Sequence, residues 1–154
     1  MNINHMSVSR KKLFDQCACA YKFRYELKIP RPGDEPYYFT YGTLIHKTAE
    51  IYVKNHGKTP IGEIANDIVR GKIELEEGKK CPPIPSDYAK KLQKHLRALQ
   101  KLTDRIGVDG NVEFAFDYDL DPPNKRTVVG FIDRLIIKGD KAFIIDYKTT
   151  KKGK

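Results

Sequence analysis

The hydrophobic pattern changes along the chain from helical spacing to strand alternation. Apolar positions at helical spacing predict helices that begin near Arg10, run from about Thr43 to Asn55, run from Pro60 to about Leu75, and run from Ser86 to about Ile106. Residues 112–120 alternate between apolar and polar positions and predict a strand. Helices followed by an antiparallel meander indicate an α+β fold in one domain over residues 1–154.

Two apolar, β-branched runs flank Gly139-Asp140 and predict a β-hairpin. Glycine at the first central position of a two-residue loop is typical of a primed turn. With that loop, the antiparallel register sets Asp133 directly opposite Asp146. Lys148 shares their face, because side chains alternate along a strand.

Two opposed carboxylates in an apolar hairpin repel each other. Side chains directly opposite have Cβ atoms about 5 Å apart, and two charges at that separation repel by roughly 3 kcal/mol at an effective dielectric of ~20. We expect both faces of the hairpin to be apolar, through Val128, Ile132 and Ile136 on one and Val129, Phe131, Leu135 and Ile144 on the other. A hard divalent cation removes the repulsion. The alternative is that Asp146 pairs with Lys148 or Arg134 at a solvated sheet edge.

The hairpin motif, Asp133 followed by Asp146-Tyr147-Lys148, resembles the PD-(D/E)XK nuclease superfamily. Its RecB-type branch carries the first aspartate in a G-x-x-D-R context, as Gly130–Arg134 does. Two N-terminal segments are similar to the same branch. Ser7–Tyr25 resembles its opening serine, helix and Cys-Pro-x-x-Phe segment, with Ala20 in place of the proline, and Tyr41–Glu50 resembles its G-x-x-x-H helix start.

The resemblance implies a restriction-endonuclease-like core, with helices around a small mixed sheet that includes an antiparallel meander. It also implies a metal-dependent deoxyribonuclease, with exonuclease action favoured, that uses Mg²⁺ or Mn²⁺. The implied metal ligands are His46, Asp133, Asp146 and the carbonyl of Tyr147, whose side chain we expect in the core. The implied catalytic residues are Asp133, Asp146 and Lys148, with the lysine orienting the attacking water. Unaided, His46 is equally explained as a partly buried histidine that bonds locally.

Two glutamates are candidates for additional acidic members of the site. Glu113 is either an exposed strand residue or such a member, since its strand should neighbour that of Asp133. Glu50 lies four residues after His46 on the same helix face. It is either a partner of that histidine or a surface charge, and we favour the surface charge.

The net charge of +9 over 154 residues suits a polyanionic partner, here DNA, although a merely solvated basic surface is the alternative. We expect phosphate contacts from basic side chains of the N-terminal helix and the C-terminal tail, namely Arg10, Lys11, Lys12, Lys22, Arg24, Lys151 and Lys152. Tyr37, Tyr38 and Phe39 either stack on unpaired bases or pack beneath their loop.

The cysteine count and the absence of a long apolar run narrow the setting. Three cysteines favour a reducing compartment, no run approaches the ~20 apolar residues of a membrane span, and the start lacks a secretory signal. We therefore expect a cytoplasmic protein. Cys19 matches a cluster ligand of iron–sulfur members of the branch, but the other cysteines of that pattern are missing, so this chain alone should hold no iron–sulfur cluster. Cys17 and Cys19 are expected to pack in their helix.

Members of the branch usually continue past D-x-K into a helix with a Q-x-x-x-Y motif, which this sequence lacks. Either the chain is a minimal or truncated nuclease, or its activity depends on a further protein subunit. The competing hypothesis is a non-catalytic or partner-dependent DNA-binding subunit with a vestigial site.

Overall fold

The computed structural model describes residues 5–30, 32–33, 36–124 and 126–149. The chain divides into two compact units, which are described separately. Unit 1 contains Met1–Asp34 and Phe114–Ile132, and unit 2 contains Glu35–Glu113 and Asp133–Lys154. The single domain over residues 1–154 stays a prediction.

The described part of the chain contains five α-helices and a four-stranded mixed sheet, which confirms the predicted α+β class. The helices are α1 (Val8–Gln16), α2 (Ala18–Tyr21), α3 (Tyr37–Lys54), α4 (Ile61–Val69) and α5 (Ser86–Ile106). The strands are β1 (His5–Met6), β2 (Asn111–Asp121), β3 (Arg126–Lys138) and β4 (Lys141–Ile145). A π-helical turn spans Lys22–Glu26, and a 3₁₀ turn spans Pro122–Asn124.

The sheet has the order β1-β3-β2, and β4 pairs with β3. Strand β1 runs parallel to β3, with His5 opposite Thr127. This parallel pairing makes the sheet mixed, and it joins segments more than a hundred residues apart in the sequence. None of the described helices is long and apolar enough to cross a bilayer.

In unit 1, α1 begins one residue after its N-cap, Ser7. The Ser7 hydroxyl accepts a hydrogen bond from the Arg10 amide at 3.3 Å, so the helix begins at Val8 instead of near Arg10. The expected packing of Cys17 and Cys19 is wrong, since both are exposed. The Cys17 sulfur instead accepts the amide of Ala20 at 3.4 Å and caps α2.

In unit 2, the apolar stripes of α3, α4 and α5 face a shared core. Its buried members are Leu44, Ala49, Tyr52, Ile61, Ile64, Ile68, Leu75, Cys81, Leu99 and Tyr147. The burial of Tyr147 agrees with its expected place in the core.

Helix boundaries differ from the predicted ones where tertiary contacts or backbone turns decide them. Helix α3 begins at Tyr37, six residues before the predicted start, because Tyr37 and Tyr41 pack on Tyr88 with ring centroids 4.9 and 5.1 Å away. Helix α4 ends at Val69 instead of Leu75, because Gly71 has φ +70, which turns the chain out of the helix. Helix α5 spans the predicted residues.

The β3–β4 hairpin has the predicted register. Lys138 pairs with Lys141 around the Gly139-Asp140 loop, and the ladder continues to Arg134 opposite Ile145. Asp146 therefore lies one residue beyond the end of β4, where the same register would continue to Asp133.

The expectation of two apolar hairpin faces is wrong in one respect. The face of Ile136 is buried, but its neighbour there is Arg134, whose residue exposure is 0%. On the opposite face, Ile137 and Ile144 are 65% and 67% exposed within the chain. Apolar sequence on both sides of this hairpin therefore does not correspond to burial on both sides.

Candidate metal centre

One imidazole and two carboxylates meet in unit 2. One ligand atom from each of His46, Glu113 and Asp133 lies within 4.8 Å of the others. These side chains come from α3, β2 and β3, which are distant in sequence. Among the described residues, this group has the composition and spacing of a divalent-cation site.

Asp133 is the most firmly held member of the group. Its side chain is 14% exposed, and its Oδ2 accepts a hydrogen bond from the Tyr147 amide at 2.6 Å. Burial alone would raise the pKa of this carboxyl, but the bonds from His46 and from the Tyr147 amide outweigh burial and lower the pKa. Asp133 is therefore kept as an anion.

His46 links Asp133 to the D-x-K segment. Its Nδ1 lies 3.4 Å from Asp133 Oδ1, and its Nε2 lies 2.8 Å from the Tyr147 carbonyl oxygen. The Asp133 carboxylate raises the pKa of His46 against the opposing effect of burial, and the Tyr147 carbonyl adds to the rise. The ring therefore stands between two of the oxygens that the resemblance implies as metal ligands.

Glu113 joins the cluster through an unusual backbone conformation. Its φ is +48, a left-handed value inside a strand, and such conformations cost about 1–3 kcal/mol in residues other than glycine. Burial raises the pKa of the Glu113 carboxyl, and the negative charges of Asp133 and Glu50 raise it further. The strained backbone and the close like charges are both typical of a functional site.

The sequence did not single out Arg134, which holds the chain before β2. The buried guanidinium donates from Nε to the Asp109 carbonyl at 3.0 Å, and from Nη2 to the carbonyls of Gly107 and Asp109 at 2.7 and 2.6 Å. It therefore fixes the loop from which the chain enters the strand of Glu113. The only sequence signal was its place directly after Asp133 in the G-x-x-D-R motif.

Asp146 and Lys148 lie outside the compact cluster. Their side chains are 56% and 68% exposed, and Lys148 Nζ lies 2.5 Å from Asp146 Oδ1. This is the ion pair that the sequence offered as the alternative to metal binding. An exposed pair of this kind contributes only about 0–1 kcal/mol, so it is easily exchanged for a cation or a phosphate. The roles of both residues stay predictions.

Glu50 is less exposed than a simple surface charge. Its side chain is paired with Lys47 at 3.0 Å and Lys54 at 2.5 Å. Burial pushes the pKa of Glu50 up, but the two lysines outweigh it and lower the pKa. Because Glu50 also raises the pKa of Glu113, it adds negative potential at the cluster.

The basic residues expected to contact DNA have different surroundings in unit 1. Lys11 pairs with Asp15 at 2.5 Å, and Arg10 donates to the His5 carbonyl at 2.9 Å. The guanidiniums of Arg10 and Arg24 both lie over the Tyr25 ring, at 4.8 and 5.4 Å from its centroid. Lys12 and Lys22 are exposed. Lys151 and Lys152 lie outside the described residues.

The aromatic residues at the start of α3 separate into two groups. Tyr37 packs against Tyr88, so packing accounts for it, and burial raises its pKa to about 12. Tyr38 is exposed and contacts the Phe39 ring at 4.3 Å.

Comparison with known families adds an independent observation. A sequence model of the PD-(D/E)XK nuclease superfamily matches residues 5–154, a range that includes the whole cluster and the D-x-K segment. No curated protein and no solved structure matches the chain.

Proposed function

The chain belongs to the PD-(D/E)XK nuclease superfamily, and we propose that it is a divalent-metal-dependent deoxyribonuclease of the RecB type, with exonuclease action favoured. The observation that carries the proposal is the meeting of His46, Glu113 and Asp133 within 4.8 Å. Membership of a nuclease superfamily supports phosphodiester hydrolysis, and the cluster supports a metal-assisted reaction.

The chemistry of the donor set fits Mg²⁺ or Mn²⁺. Carboxylate and carbonyl oxygens suit hard cations, and imidazole is a common ligand of divalent transition metals. A bound ion of this kind polarises a phosphate and lowers the pKa of a coordinated water. We propose His46, Asp133, Asp146 and the Tyr147 carbonyl as ligands, with Glu113 as an additional acidic member.

The hydrogen bonds of the cluster prepare its donors for this role. The Tyr147 amide fixes Asp133 by donating to one carboxylate oxygen, which leaves lone pairs of the other oxygen directed at His46. His46 Nε2 and the Tyr147 carbonyl oxygen are 2.8 Å apart and share a proton. Once that proton leaves, both atoms can serve one cation.

Lys148 supplies the remaining catalytic group of the proposal. Its ammonium is bound to Asp146 and exposed to solvent, so it can reach a water or a phosphate oxygen beside that carboxylate. In this position it would orient the attacking water and stabilise the negative charge that develops on the phosphate.

DNA is the proposed substrate, bound through phosphate contacts of the N-terminal basic residues and the tail. Exposed Lys12 and Lys22 are available for such contacts, and the net charge of +9 supports a polyanionic ligand. The cytoplasmic location that the cysteine content favours is part of the same proposal.

The test is cleavage of linear and circular DNA by the purified chain in Mg²⁺, Mn²⁺, Ca²⁺ or EDTA. We expect linear DNA to be degraded in Mg²⁺ or Mn²⁺, circular DNA to resist, and EDTA to stop the reaction. The variant D133N should be inactive, and D15N, which alters an exposed carboxylate of unit 1, should retain activity. Cleavage that persists in EDTA would contradict the metal-dependent mechanism.

A second candidate is a partner-dependent subunit, and one observation favours it. The β3–β4 ladder ends at Ile145, so the proposed ligand Asp146 lies beyond the paired strand with its side chain mostly exposed. If the isolated chain binds DNA in Ca²⁺ but does not cleave it in Mg²⁺ or Mn²⁺, this candidate replaces the first.

A further inference from the structure

The outer edge of β4 combines open main-chain groups with exposed apolar side chains. In the described part of the chain, β4 pairs with β3, and no printed main-chain hydrogen bond outside that ladder involves residues 141–145. Because Lys138 and Lys141 close a two-residue loop, alternate residues bond across the hairpin, and the amides and carbonyls of Ala142 and Ile144 point outward.

The side chains at this edge are incompletely covered on both faces of the hairpin. Phe143 lies on the face of buried Ile136, yet it is 49% exposed, and Ile144 on the opposite face is 67% exposed. A groove of about 520 Å³ lies at this edge, between the end of α5 and β4. Its lining includes Ile106, Ile136 and Phe143.

Strand β4 also lacks the features that protect edge strands from pairing. Natural proteins protect such edges with proline, bulges, charged residues or covering segments. Residues 141–145 read Lys-Ala-Phe-Ile-Ile, in which the one charged residue stands at the loop. This edge is therefore well suited to accept another strand.

The charges around the groove select the kind of strand. Arg105 and Lys138 line it, and Lys141 begins β4, so three cations surround the open edge. Lys138 and Lys141 are both exposed. An acidic segment satisfies these cations, whereas a second copy of this chain would bring the same three cations with it.

We propose that the β4 edge is a docking site for an extended, acidic segment of a different polypeptide, which adds a strand to the sheet. Main-chain hydrogen bonds to Ala142 and Ile144 give the affinity, and alternating apolar side chains cover Phe143 on one face and Ile144 on the other. This site is separate from the metal cluster, and the inference does not rest on nuclease activity.

The test uses synthetic peptides, so that failure of the proposed nuclease activity does not affect it. The probe is a seven-residue peptide of alternating valine and threonine with glutamates at both ends. Titration calorimetry measures its affinity for the full chain in EDTA, and amide hydrogen exchange locates the contact. We expect saturable binding, with slowed exchange at Ala142 and Ile144.

Two matched peptides and one matched pair of variants separate strand addition from a general attraction. N-methylation of the two amides that face β4 should weaken binding about tenfold or more, because two hydrogen bonds are lost. Lysines in place of the glutamates should weaken binding further. R105E should weaken binding of the acidic peptide, whereas R97E, at an exposed position of the same helix outside this groove, should not.

Three results would overturn the proposal. These are equal affinity for the N-methylated peptide, an absence of saturable binding, and unchanged exchange at Ala142 and Ile144. Concentration-dependent self-association of the chain with protection of the same two amides would assign the edge to a second copy instead. Because the N-methylated peptide leaves the protein unaltered, the test does not depend on how a β4 variant folds.

Discussion

The two aspartates of the candidate site are held in opposite ways. Asp133 is nearly enclosed, accepts the Tyr147 amide at 2.6 Å and lies beside His46. Asp146 is 56% exposed and bound to the side chain of Lys148. The fold therefore fixes one half of the site through main-chain contacts, and it leaves the other half to exposed side chains just past the end of β4.

The difference has a topological cause. Asp133 lies inside β3, a strand with neighbours on both sides. Asp146 follows an edge strand whose ladder has already ended. A carboxylate in the middle of a sheet can be held before a ligand arrives, whereas a carboxylate past the end of an edge strand takes its final position with the ligand.

The largest expected effect concerns Lys148, in the exposed half. K148A should reduce metal-dependent DNA cleavage by about 10²-fold or more, the usual scale for a positioned proton-transfer group. DNA affinity in Ca²⁺ should stay unchanged, because one exposed lysine contributes little to binding. The matched control is K90A, at an exposed position of α5. A large loss of affinity with normal turnover at saturation would make Lys148 a phosphate contact only.

The second effect compares stability of the two halves without metal. D133A should destabilise the protein by about 1–3 kcal/mol, because the Tyr147 amide loses its acceptor. D146A should change stability by less than about 0.5 kcal/mol, since it removes only an exposed ion pair. Denaturant unfolding in EDTA measures both values. Equal effects of the two substitutions would contradict the comparison.

The third effect tests whether the strain at Glu113 serves the fixed half. Glycine tolerates φ +48 and alanine does not, so E113G should be more stable than E113A by about 1 kcal/mol. Both variants should bind Mn²⁺ more weakly than the wild type, because both lack the carboxylate. Undiminished Mn²⁺ affinity in both would remove Glu113 from the site.

The smallest effect is the pH dependence of the metal-free protein. The pKa of His46 is raised from 6.5, chiefly by Asp133, so its contribution to stability is fully present below 6.5 and is lost as pH rises through the folded pKa. The stability gap between wild type and H46N in EDTA should therefore narrow from about pH 5.5 to about pH 8.5. A gap that is constant over this window would show that the charge of His46 is not coupled to the fold.

The sequence predicted the parts of this comparison that depend on local signals. The Gly139-Asp140 loop determined the hairpin register, and the three motifs in order indicated the superfamily that the sequence comparison supports. Helix α5 was also predicted at its full length, because its apolar stripe is regular.

The parts that the sequence did not predict depend on long-range contacts or on a single backbone torsion. Arg134 is buried because it bonds carbonyls of residues 107 and 109, 25 or more residues earlier in the chain. Glu113 reaches the cluster through a left-handed φ inside a strand, which alternation alone does not reveal. The early start of α3 follows from ring contacts with Tyr88, which belongs to another helix.

The most direct test of the central claim is calorimetric titration of Mn²⁺ into the wild type, D133N, D146N and D15N. If the two unequally held aspartates form one cation site, wild type and D15N bind Mn²⁺ saturably, and both site variants lose that binding while keeping their circular dichroism spectrum. Unchanged Mn²⁺ affinity in both D133N and D146N would contradict the account.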